Sequence, residues 1–134
     1  MERKLKYLEM IQGVINRMGQ CSFLLKGWSV VLVSALFALA ANKTNILFIY
    51  LAYFPAIAFW MLDGYYLYQE RLFRNLYDKA RDMDTDKIDF SMDTRPLRGI
   101  NKATWQEATF SKTMLIFHGT VIFTILVIMA VCLI

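Results

Sequence analysis

Two long apolar runs joined only by Asn42-Lys43-Thr44-Asn45 constrain this chain more than any other feature. The first, SFLLKGWSVVLVSALFALAA from Ser22, carries one charge, Lys26; the second, NILFIYLAYFPAIAFWML from Asn45, carries none before Asp63. A bilayer core ~30 Å thick takes about 20 apolar residues per helical crossing, and both runs meet that length. So short a connection forces the two crossings to run antiparallel, and residues equidistant from the turn then share a depth. Lys26 lies about 18 residues before the midpoint of the turn and Asp63 about 20 after it, a mismatch of ~3 Å at the rise of an α-helix. Charges inside a membrane are costly and are paired where they occur, which predicts a Lys26–Asp63 contact.

The rest of the chain fits one membrane domain over residues 1–134. Of its 134 residues 57% are hydrophobic and 19% charged, too apolar for an ordinary soluble domain. The net charge of +4 does not point to nucleic acid, because the basic residues flank the apolar runs: Arg3, Lys4, Lys6 and Arg17 before the first, Arg71, Arg74, Lys79 and Arg81 after the second. From Asp63 to Lys112 nine Lys/Arg are matched by nine Asp/Glu. Basic residues so placed signal topology and contact with membrane lipid. They put the N-terminus and the central segment in the cytoplasm, and the turn and the C-terminus outside the inner (plasma) membrane. Cys21 and Cys132 then lie near opposite faces, too far apart for a disulfide. Ala38-Leu39-Ala40 fits a signal-cleavage pattern, but the long segment before it favours a retained span. Asn42-Lys43-Thr44 fits a glycosylation acceptor too close to the membrane to be used.

Taken in order, residues 1–20 form an amphipathic interfacial helix, with Tyr7, Leu8, Ile11, Val14, Ile15 and Met18 on one stripe. It is expected to anchor on lipid or on the helix after the second span; a partner-binding or gating role is the alternative. Gly19, with Ser22 as N-cap, predicts a bend before the first span, 22–41. In that span Gly27, Val31, Ser34, Ala38 and Ala41 form a narrow row of small side chains. Facing it in the second span, 45–63, is the row Ile49, Ala52, Ala56, Phe59 and Asp63. Pro55 removes a donor from the carbonyl of Leu51 and is expected to kink the second helix.

That helix continues to about residue 83. Tyr65 and Tyr66 belong to an aromatic belt, Arg71 and Arg74 reach the phosphate level, and Leu72, Phe73, Leu76 and Tyr77 supply an apolar face. Residues 84–112 form a cytoplasmic connector. Across its start, the Asp82-Met83-Asp84-Thr85-Asp86 spacing opens like a calcium loop, but Lys87 stands where the turn glycine belongs and the closing Glu is absent. No metal or other cofactor is expected. Residues 88–100 are turn-rich, with room for one short strand, and 101–112 make a short amphipathic helix placing Trp105, Ala108 and Phe110 at the interface.

The third span, 113–134, carries His118 about one turn inside its basic end, near the level of Lys26 and Asp63. Two readings stand: a titratable Lys26/Asp63/His118 layer along a pathway, or side chains that snorkel and tie the helices together. There is no glycine-rich phosphate loop, no Cys/His cluster at ligand spacing and no second intraspan carboxylate, so an enzyme is not expected.

An N-terminal helix, the Ser22 to Asp63 hairpin and the continuation GYYLYQERLFRNLY give a layout that resembles the small multi-spanning membrane effectors of bacterial anti-phage defence, such as the two-span SLATT-type proteins. The third span departs from that pattern. The resemblance implies a homo-oligomeric, pore-forming or membrane-perturbing effector, with a cytoplasmic sensor protein or nucleotide signal acting on the stretch from Tyr65 to Lys112. A non-catalytic accessory subunit of a larger membrane complex is the second expectation, and a phage holin the third.

Overall fold

In the computed structural model, residues 2–43, 47–100 and 103–133 are described, the side chains of 41–43 and 133 excepted. Part of the turn that joins the first two spans, the Asn42-Lys43-Thr44 acceptor pattern, the Ala41 side chain and the C-terminal Ile134 lie outside the described residues. The described chain is helical throughout its apolar parts: α1 (Glu2–Lys43), α2 (Leu47–Arg81), α3 (Trp105–Thr109) and α4 (Lys112–Leu133). Three of these, α1, α2 and α4, are long and apolar enough to cross a membrane. Between α2 and α3 run two 3-10 turns, Thr85–Lys87 and Arg95–Leu97, and no strand occurs among the described residues.

The expected break between an interfacial helix and the first span is absent. α1 passes through Gly19, Gln20, Cys21 and Ser22 without interruption. The reason lies in what the first turns pack on: Tyr7, Ile11 and Ile15 are buried against Leu72, Leu76 and Ala80 of α2, and they lie on the same side of α1 as the buried Ser29 and Val33 further along it. A straight helix keeps that face in register over its whole length, which a bend would destroy. At ~1.5 Å per residue, a helix of 42 residues is about 63 Å long and one of 35 about 52 Å, so α1 and α2 extend as a pair well beyond a ~30 Å apolar layer. Outside that layer the pair is held as soluble helices are, each fully buried Ile or Leu contributing roughly 1.5–3 kcal/mol.

The connector folds back over this extension. Ile88, Leu97 and Ala103 join the same apolar cluster. The Arg3 guanidinium donates to the carbonyl of Ile88 at 2.8 Å, the Tyr7 hydroxyl donates to the carbonyl of Ser91, and the buried Asn75 amide donates to the carbonyl of Ile100 at 2.7 Å. These bonds supply partners to connector carbonyls that no regular ladder satisfies.

A second cluster lies between the apolar runs: Val33 and Ala40 of α1, Ile49, Ala52 and Ala56 of α2, and Ile125 of α4. The α2 side of the helix contact is therefore the row containing Ala52 and Ala56. The α1 side is not the one expected. Ser29, Val33 and Ala40 are buried, whereas Gly27, Val31, Ser34 and Ala38 are exposed. Successive helix positions are ~100° apart, so the true face follows the steps Ser22, Lys26, Ser29, Val33, Leu36 and Ala40, in continuity with Ile11 and Ile15. α2 remains helical through Pro55. Both α1 and α4 pack mainly on α2, which leaves an open cleft between them.

Candidate functional site: a buried Lys-Asp-His cluster

Asp63 is fully buried at the end of the apolar run of α2, and three helices converge on its carboxylate. Lys26 Nζ of α1 lies 2.6 Å from Oδ2, and His118 Nε2 of α4 lies 2.7 Å from the same oxygen. The Ser22 hydroxyl donates to Oδ1 and itself accepts from Lys26 Nζ at 2.8 Å, which closes a ring of Lys26, Ser22 and Asp63. The structure thus brings together Lys26, Asp63 and His118. It adds Ser22, which the sequence suggested only as a helix cap; the signal for its role is its position one turn before Lys26 on the same face.

An ionised Asp63 can only accept, so Nε2 donates to it. His118 is 1% exposed, and Nδ1 has no partner among the described residues. The ring is fixed by Trp60, which stacks on it at 5.8 Å with an interplanar angle of 4°, and by the edge of Phe117 at 5.0 Å. Lys26 sits 5.8 Å from the centre of the Phe117 ring, so its charge meets both a carboxylate and an aromatic face.

Short helix α3 closes the cluster from the side. Thr104 caps it, accepting from the backbone N–H of Glu107 at 3.2 Å. Trp60 Nε1 donates to the carbonyl of Thr109 at 3.0 Å, and Trp105 Nε1 donates to the carbonyl of Met61 at 3.3 Å. Ala108, expected at the interface, is instead fully buried. Such close docking requires Gly64: a Cβ there would clash with Thr109 Oγ1 and come within 2.9 Å of Thr109 Cβ and 3.1 Å of Thr109 Cα. Of the belt residues, Tyr65 is exposed and meets Tyr66 edge-on at 5.6 Å, and Arg74 bonds Glu70 at 3.1 Å.

Two cavities meet at Lys26. A polar vestibule of about 760 Å³ opens beside α3, lined by Ser22, Glu70, Arg71, Glu107, Ser111 and Lys112 among others. The cleft between α1 and α4, of about 710 Å³, is lined by Val30, Val33, Phe37, Phe117 and Val121, with Ser34 and Thr120 at its sides. Lys26 and Thr113 line both. The cluster is therefore sealed at Asp63 and His118 but open at Lys26, whose side chain is 20% exposed.

No group of three or more Cys, His, Asp or Glu that could hold a metal occurs among the described residues. Both cysteines are free thiols. Comparison with family models, with curated proteins and with solved structures gives no match. The three apolar helices fit a membrane protein, and nothing in these comparisons supports a SLATT-type assignment.

Proposed function

We propose that this chain is a non-catalytic membrane effector that works as a homo-oligomer. It crosses the inner membrane three times, with the N-terminus and the connector cytoplasmic and the C-terminus outside, and it opens or perturbs the bilayer in answer to a cytoplasmic signal. The observation that carries this reading is the α1 surface left over once the chain has made its own contacts. Gly27, Val31, Ser34 and Ala38 stay exposed in a continuous row at apolar-layer depth. In lipid, helices associate by close backbone approach, and small side chains at three- and four-residue steps permit it. Three helices of one chain enclose no water path, so a pore takes several copies.

The buried cluster fits this role as the tie that sets the angle between α1, α2 and α4, with the vestibule beside α3 as the place where a signal or sensor protein acts. A setting in bacterial defence rests on the layout of the helices. Mass measurement of the detergent-solubilised protein tests the proposal: a symmetric homo-oligomer that Gly27→Leu and Ala38→Leu dissociate is expected. A monomer stable only beside another protein would replace it with the accessory-subunit reading. Overproduction is expected to arrest growth and admit an impermeant dye, and the two leucine variants are expected to do neither.

A further inference from the structure

We propose that the vestibule and the α1–α4 cleft form one continuous binding site for a phospholipid with a primary-amine headgroup, its phosphate and ammonium in the vestibule and an acyl chain in the cleft. The site does not depend on oligomerisation. Its first support is shape. The cleft runs from Lys26 to Phe37 along α1 and from Thr113 to Thr124 along α4. Each stretch corresponds to ~16 Å of helix, close to half of a ~30 Å hydrocarbon core. That is the depth of one leaflet. The polar cavity joins it at Lys26 and Thr113, at the end where α4 begins, and so falls at the headgroup level of the same leaflet.

Charge identifies the headgroup. The vestibule presents both signs: Lys26, Arg71 and Lys112 against Glu70 and Glu107. Lys26 is already balanced by Asp63 and Glu70 by Arg74, which leaves Lys112 and Glu107 without an ion pair among the described residues. An acidic headgroup without an amine would satisfy Lys112 but bring a like charge towards the Glu107 carboxylate. A headgroup carrying phosphate and –NH₃⁺ answers both, because the ammonium supplies N–H donors to carboxylate oxygens. A quaternary ammonium has the charge but no N–H to donate. Ser111 also lines the vestibule, and its buried hydroxyl has no partner among the described residues. It is suited to a phosphate oxygen.

The test uses the full chain in detergent with equimolar phosphatidylethanolamine, phosphatidylcholine and phosphatidylglycerol, followed by native mass spectrometry. One phosphatidylethanolamine per chain is expected to be retained ahead of the other two. Glu107→Gln is expected to reduce the preference over phosphatidylcholine by about tenfold, the loss of one charge-assisted hydrogen bond. Lys112→Gln is expected to weaken phosphatidylethanolamine and phosphatidylcholine alike. Thr120→Trp, at an exposed position on the wall of the cleft, is expected to remove the retained lipid with helicity unchanged. Equal retention of the three lipids, retention of phosphatidylglycerol ahead of the amine lipid, an unchanged preference in Glu107→Gln, or full retention in folded Thr120→Trp would each overturn the assignment.

Discussion

The Lys26 ammonium lies 2.6 Å from the Asp63 carboxylate, across a helical hairpin that separates the two residues by most of two spans. Removing one partner of a buried ion pair leaves the other charge uncompensated, which costs about 3–5 kcal/mol. Lys26 retains an exit into the vestibule and the cleft, which places Asp63→Ala at the low end of that range. Lys43→Ala serves as the comparison and is expected to stay within about 0.5 kcal/mol. Lys26→Met combined with Asp63→Leu is expected to recover most of the loss, since it removes both charges. Thermal unfolding in detergent measures all three; equal stability of Asp63→Ala and Lys43→Ala would show that the cluster does not hold the helices.

Gly64→Ala is expected to undock α3. The added Cβ meets Thr109 Cβ at 2.9 Å as well as its hydroxyl, so a rotamer change cannot relieve it. Overpacking of this kind costs about 1–3 kcal/mol. Trp60 and Trp105 both bond across this joint, and their fluorescence should shift to the red in Gly64→Ala. Adding Thr109→Gly should restore much of the original spectrum.

The fold-back of the connector should be sensitive to alkali through Tyr7 and to acid through Asp93. Burial, assisted by the charge of Asp89, pushes the Tyr7 hydroxyl above its ordinary 10.0. A folded value raised above the unfolded one means a contribution present below pH 10.0 and lost as pH rises through the folded value. Asp93 runs the other way. Its hydrogen bonds with Arg95 hold its carboxyl at about 2, against an ordinary 3.8, so its contribution is present above pH 3.8 and lost as pH falls towards 2. Tyr7→Phe should cost about 1–2 kcal/mol through the unpaired carbonyl of Ser91 and blunt the alkaline limb. Asp93→Asn should blunt the acid one. Proteolysis of residues 83–100 in the native protein, followed against pH, reads both limbs.

Orientation is checked by labelling. With Cys21 and Cys132 replaced by serine, Lys43→Cys should react with an impermeant thiol reagent added outside intact cells. Protection outside with reaction in inverted vesicles would reverse the topology.

Depth was legible before the fold was known; azimuth was not. Lys26, Asp63 and His118 could be placed at one level because helix rise is linear in residue number and the hairpin sets a common origin. Which way a side chain points depends on ~100° increments and on which surfaces find a partner. One position therefore separates Ser34, exposed, from Val33, buried, and both are plausible in a run of apolar and small residues. The bend predicted at Gly19 failed for a related reason: a glycine permits a break but does not require one, and the contacts of Ile11 and Ile15 with α2 reward a straight helix.

By itself the sequence determined three apolar helices, the antiparallel hairpin and the common level of three ionisable residues, because length, hydrophobicity and rise are local quantities. Only the tertiary structure decided that Ser22 completes the ring with Lys26 and Asp63, that Gly64 admits Thr109, and that α1 and α4 part to leave a cleft ending at Lys26. Those features arise where helices distant in sequence meet, and the packing there depends on the shapes of several surfaces at once.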